Sequence, residues 1–268
     1  MQQYNMKRPP DEADRNRPRL RIMCGRFAIT TPPKAMKELF GFGEQPNFPA
    51  RYNIAPTQPV PVVAMERGER HFRLMRWGLI PSWAKEAPKS LLINARADTI
   101  DEKPSFRGAF RHGRCLMPAD AFYEWKAKGG GPKQPFLIRR RDGGSFAMAA
   151  IASNWMGADG SEVDTCAVVT TDANETLMPI HHRMPVILDE RDWEMWLDPE
   201  TQARDAQKLL RPAPDDLMEA VPIGTRINRV ANDDPSLWDR HEVGDEPPVQ
   251  PAPKAKEKPA NANQMDLF

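Results

Sequence analysis

The stretch Met23-Cys24-Gly25-Arg26-Phe27 opens the apolar-rich part of the chain with a residue capable of two nucleophilic reactions. If Cys24 becomes an amino terminus, its α-amine and thiol form a 1,2-aminothiol. An α-amine titrates near ~7.7–8.0, so a substantial neutral fraction exists at neutral pH. A thiol near ~8.5 is lowered by positive neighbours, and Arg26 is close in sequence. Taken alone, Cys24 reads first as a small buried hydrophobe, because free cysteine is among the most buried residue types.

Four other stretches carry chemistry. Asn94-Ala95-Arg96 follows an apolar run, so Asn94 can orient an amine or thiol and Arg96 can hold a phosphate; the alternative is a strand-end turn. Glu124 stands between aromatics in Phe122-Tyr123-Glu124-Trp125. An apolar neighbourhood raises a carboxyl towards the range of general acid–base catalysis, whereas a solvent-facing strand position would not. His181-His182-Arg183-Met184-Pro185 offers a neutral-pH proton shuttle. On an extended segment the two histidines point to opposite sides, so one at most faces a site. Arg76 and Trp77, with Trp83 six residues on, suit phosphate contact and base stacking, or equally core packing.

The elements that must position these residues are mostly strands. The runs 114–119, 135–140, 145–153 and 165–171 are apolar and bounded by Gly, Pro or Asp. Pro32 and Pro33 start a helix that Gly41 stops. Asp189 caps a second, in which Trp193, Trp196 and Leu197 share a face. Strands and helices do not alternate regularly, which predicts an α+β fold with a mainly antiparallel sheet rather than a doubly wound one.

Composition sets limits. In 268 residues, 38 Lys and Arg balance 37 Asp and Glu, which gives no global nucleic-acid signature, so any nucleic-acid-binding face must be a local arginine patch. The three cysteines, Cys24, Cys115 and Cys166, form no Cys-x-x-Cys pair, and no metal site or cofactor is expected. An odd count without a secretory signal suits a reducing cytosol, and no apolar run approaches the ~18 residues of a membrane span. Residues 1–22 read as a disordered leader, 23–240 as one folded domain that carries nearly all the aromatic and aliphatic content, and 241–263 as a Pro/Ala/Lys/Glu-rich linker.

Together, in this order, the motifs MCGRFA (23–28), RYNIAPTQ (51–58), RWGLIPSWA (76–84), INARADT (93–99), RCLMPADAFYEW (114–125), FAMAAIAS (146–153) and IHHRMPVIL (180–188) closely resemble the SOS response-associated peptidase (SRAP) family of abasic-site processing proteins. The resemblance spans about residues 23–232 and implies a single domain with a barrel-like β core and peripheral helices. It implies that Cys24 is the amino-terminal nucleophile, Asn94 its positioning residue, Glu124 the acid–base carboxylate and His181, not His182, the catalytic histidine. Arg26 and Arg96 correspond to arginines at the phosphates flanking the lesion. Pro56 and Trp83 correspond to an apolar pair against the exposed bases, and Thr170 to a threonine near the site. Asp98 stands where Glu is common.

The implied reaction is condensation of the aminothiol with the aldehyde of an abasic site in single-stranded DNA, giving a thiazolidine cross-link that such an enzyme can also reverse. That chemistry needs a free amine. Translation from Met23 with removal of that initiator Met, or self-cleavage of the leader, would supply it. Rival readings are a thiol peptidase acting on other proteins and a non-catalytic DNA-binding adaptor. The terminal Gln264-Met265-Asp266-Leu267-Phe268 resembles the bacterial sliding-clamp binding motif, with Gln264, Leu267 and Phe268 as its anchors. On such a tether it would raise local concentration at the replication fork. A monomer in the cytoplasm, at the nucleoid, is the corresponding expectation.

Overall fold

A computed structural model describes residues 24–127, 129 and 132–242. The expected leader, the linker beyond 242 and the clamp-like peptide lie outside the described residues. In chain order the elements are β1 (Phe27–Ile29), α1 (Pro33–Phe40), β2 (Arg51–Ile54), β3 (Pro59–Glu66), β4 (Glu69–Trp77), β5 (Asn94–Arg96), α2 (Pro104–His112), β6 (Arg114–Ala119), β7 (Ala121–Lys126), β8 (Gln134–Arg140), β9 (Phe146–Met156), β10 (Glu162–Asp172), β11 (Arg183–Pro185), β12 (Ile187–Leu188), α3 (Trp193–Leu197), α4 (Ala203–Lys208) and β13 (Met218–Pro222). None of the described helices is long and apolar enough to cross a membrane.

Five strands close a ring. β3 pairs with β4 and β6, β6 with β9, and β9 with β10, all antiparallel; β10 then closes onto β4 in parallel. A second, wholly antiparallel sheet runs β13-β8-β7-β1-β2. The fold is therefore α+β with a mainly antiparallel barrel core, as expected. The four apolar runs form β6, β8, β9 and β10, whose interior positions are buried. β9 and β10 extend beyond the apolar runs because a hairpin closes at Gly157–Ser161, where Gly157 N–H donates to the Ser161 carbonyl at 2.7 Å.

Both expected helix signals operate. Pro33 begins α1, and Gly41 ends it in the left-handed conformation (φ 72°), open to a residue without Cβ. The Asp189 carboxylate accepts from Arg191 N–H at 3.2 Å, ahead of α3, and Trp193, Trp196 and Leu197 are buried together. The buried Arg114 guanidinium joins the helices to the barrel. It donates to the carbonyls of Phe110 and Arg111 at the end of α2, and to those of Trp196, Asp198 and Thr201 around the end of α3. A cation there answers the negative helix ends.

The segment from Ile223 to His241 straps the second sheet. Ile223, Ile227 and Leu237 pack on Ala28, Tyr123 and Leu137 in a small separate core. Buried Asn53 on β2 fastens it: its Nδ2 donates to the carbonyls of Ile227, Arg229 and Asn232 at 3.2, 3.0 and 2.8 Å. Truncating it leaves those carbonyls short of a donor at a buried site. Asn53→Ala is expected to lower unfolding free energy by about 2–4 kcal/mol in urea denaturation, from the cost of unmade buried hydrogen bonds; a loss under about 0.5 kcal/mol would contradict this role.

Candidate active site

Antiparallel pairing of β1 with β7 sets Phe27 opposite Phe122 and Ala28 opposite Ala121, and Tyr123 N–H donates to the Arg26 carbonyl at 3.0 Å. Extending that register brings the start of the described chain alongside Glu124. The Cys24 main-chain nitrogen donates to Glu124 Oε1 at 2.7 Å. Both residues are buried, at 1% and 5% exposure. Cys24 holds φ 41°, a left-handed conformation that costs a side-chain-bearing residue about 1–3 kcal/mol.

Burial dominates the electrostatics. It pushes the Glu124 carboxyl up to about 7, against the pull of N–H groups from Cys24 and Trp125 and of the Lys133 charge. Since a neutral carboxyl suits this pocket, ionisation of Glu124 costs folding stability as pH rises from 4.5 through about 7. The Cys24 thiol is also pushed well above its ordinary value, by burial first and by Glu124 second. This corrects the expectation that Arg26 lowers it. The Arg26 guanidinium turns instead to the strap, donating to Asn53 Oδ1 (2.7 Å) and the carbonyls of Ile227 (2.9 Å) and Asn228 (3.4 Å).

The other expected residues gather along β10. Its first half pairs with the end of β4 and its second half with β5, so residues 78–93 loop out between. Gly78, at φ 135°, is where the chain leaves β4. Asn94 thereby sits opposite Val168, and Arg96 opposite Thr170. Asn94 is partly buried, with its side-chain oxygen fully so. Thr170 is buried, and its hydroxyl contacts the Ala95 carbonyl at 3.5 Å. Arg96 is half exposed and forks onto Asp98.

His181 ends the loop joining β10 to β11. Its Nδ1 lies 3.1 Å from the Arg183 main-chain nitrogen and 3.3 Å from the Arg183 carbonyl oxygen. The segment is turned rather than extended, since His181 N–H donates to the Leu177 carbonyl, and the rings of His181 and His182 stack at 4.4 Å. The expected opposite orientation does not occur.

Trp77 is a second correction. It is 0% exposed, its Nε1 donates to the Ile93 carbonyl at 3.0 Å and its ring meets Phe27 edge-on at 5.4 Å, so no base can stack on it. It is the spacer between the strand following Cys24 and the strand bearing Asn94. Arg76 is partly buried and braces the loop exit by donating to the Gly78 carbonyl at 3.2 Å. Trp83 is 65% exposed, with its Nε1 3.3 Å from the Pro104 carbonyl, and Pro56 is partly exposed between β2 and β3. Gln264, Leu267 and Phe268 lie outside the described residues.

Two residues of this region stand in quoted motifs but were given no role of their own from the sequence. Arg183 is 3% exposed beside His181 and donates to Asp172 Oδ1 (2.9 Å) and to the Thr170 carbonyl (2.5 Å). Its signal was a lone charge at the head of an apolar run, Met184 to Leu188. Asn53 had no such signal, because a single Asn in a strand-like stretch looks like any other.

The chain matches the family SOS response associated peptidase (SRAP) over residues 23–230. It is 37% identical to the abasic site processing protein YoqW of Bacillus subtilis (strain 168), covering 82% of this chain and 100% of that protein. It is 34% identical to the abasic site processing protein HMCES of Gallus gallus, covering 83% of this chain and 79% of that one. A crystal structure of a Bacteroides thetaiotaomicron protein superposes with a TM-score of 0.74 at 29% identity, over 81% of this chain and all of the other. The chain belongs to the SOS response associated peptidase (SRAP) family.

Proposed function

We propose that this protein processes abasic sites in single-stranded DNA by joining them covalently to Cys24. The observation that carries this reading is the buried 2.7 Å contact between the Cys24 nitrogen and Glu124. It sets an acid–base group tuned to about 7 on the atom that must attack an aldehyde. The amine adds to the sugar C1′ aldehyde and water leaves, giving an imine. The thiol then adds to the imine carbon, its proton passing to nitrogen, and a five-membered thiazolidine closes. Both nucleophiles sit on one residue, so the second step is intramolecular.

Glu124 takes the amine proton and returns it to the departing oxygen. His181 assists opening of the sugar ring, and the same two groups serve reversal of the link. The raised thiol favours this order over a peptidase acting through a preformed thiolate. The amine is freed by a start at Met23 with hydrolytic removal of that initiator Met, or by autoproteolysis before Cys24. Loss of the preceding residue also removes the strained φ at Cys24. Arg96 holds the backbone without reading sequence, while Trp83 and Pro56 meet the bases. The QMDLF terminus docks on the sliding clamp, so a chain lacking Leu267 and Phe268 loses co-elution with it; unchanged elution would remove this role.

Two outcomes test the reaction. A chain beginning at Cys24 yields a heat-stable shifted band with abasic oligonucleotide on a denaturing gel, and Cys24→Ala yields none; an undiminished band in the variant would sink the proposal. Single-turnover adduct formation rises with pH through an apparent pKa near 7. Glu124→Gln slows it by roughly 10²–10³-fold, the scale of general acid–base catalysis, and loses that bend. The same pH profile in both proteins would exclude Glu124 as the proton-transfer group.

A further inference from the structure

Beside His181 two arginines are already answered by carboxylates. Arg96, on β5, forks onto Asp98 through Nε and Nη2. Arg183, on β11, pairs through Nη1 with Asp172 at 2.9 Å and lies 3.9 Å from Asp98. Register brings the four residues together, since Thr170 of β10 is opposite Arg96 and Asp172 is opposite Arg183. The two halves of the second pair differ sharply in exposure. Arg183 is 3% exposed, whereas Asp172 is 78% exposed and caps the cation from the solvent side. Arg183 Nε is buried with no hydrogen-bond partner among the described residues, so this guanidinium retains an unused donor.

A buried cation requires an anion, and a forked carboxylate meets arginine in the geometry that a phosphate uses. We infer that Asp98 and Asp172 are internal stand-ins for backbone phosphates, holding Arg96 and Arg183 ready for a strand while competing with it for them. This rests on the reading of the protein as a binder of single-stranded DNA. Half-neutralised arginines grip an undamaged strand weakly, so lasting capture depends on the covalent step. Asp98 and Asp172 are then determinants of selectivity, acting against retention on intact DNA.

The test uses the full chain and an undamaged single-stranded oligonucleotide, with Kd read by fluorescence anisotropy over a sodium chloride series. Asp98→Asn and Asp172→Asn are each expected to tighten binding roughly 3- to 10-fold at low salt and steepen the slope of log Kd against log salt by up to about 0.7, the counterion release of one further phosphate contact. Asp98→Glu, which keeps the charge, retains the starting values. Circular dichroism establishes folding, and Asp98→Asn, on the half-exposed pair, decides the matter if Asp172→Asn does not fold. Unchanged or weaker binding with an unchanged slope in the folded Asn variants would overturn the inference. Adduct yield on an abasic strand is scored in parallel with the same protein beginning at Cys24, so that the amine is free. No adduct despite charge-dependent strand binding would reject the cross-linking reading alone, and normal adduct with flat Asn variants would reject this inference alone.

Discussion

A carboxylate buried against a main-chain nitrogen is the constraint on which the rest of this molecule depends. Glu124 is brought to Cys24 by the register of β1 on β7. The pair is kept dry by the barrel core on one side and the strapped second sheet on the other. Water exclusion raises both the carboxyl and the thiol. The two shifts have opposite consequences. A carboxyl near 7 is a better proton carrier at neutral pH, while a thiol held protonated is a worse first nucleophile. For the cross-linking reaction proposed above, that environment favours nitrogen attacking first and sulfur closing afterwards.

β10 is the second organiser. It pairs with β9 and β4 to close the barrel and with β5 and β11 at its far end. That end carries Thr170 and Asp172 and sets Asn94, Arg96 and Arg183 beside one another. The two halves of the candidate site are joined through Trp77, by ring packing on one side and a hydrogen bond on the other. Phe27 meets Trp77 edge-on, and Trp77 bonds the carbonyl preceding Asn94. Edge-to-face aromatic pairs of this kind are worth about 0.5–1.5 kcal/mol beyond their burial, which makes Trp77 a rigid spacer.

How much was legible in the sequence followed from how local each signal was. The α1 boundaries were written in Pro33 and Gly41, and the cap before α3 in Asp189, because these depend on a few adjacent residues. The strands β6, β8, β9 and β10 were legible as apolar runs between turn residues. Pairing was not: that β10 would meet both β4 and β5 depends on the loop at Gly78, which no periodicity announces. Glu124 was legible as a carboxylate among aromatics, but its burial and its partner were set by a contact 100 residues distant in the chain. Trp77 and Trp83 share one motif that suited base stacking and core packing equally, and only the fold separates the core indole from the exposed one. Arg26 was read through its charge, whereas its fixed partners are carbonyls of a strap some 200 residues away.

The most direct measurement of the central claim is the intact mass of the protein–DNA adduct before and after borohydride treatment. Attack by the Cys24 amine followed by closure through sulfur gives a mass equal to a chain beginning at Cys24 plus abasic strand less one water, unchanged by borohydride. An adduct that gains two hydrogens on reduction would be an open imine. One that retains residues before Cys24 would have formed without its amine. Either result would contradict the account.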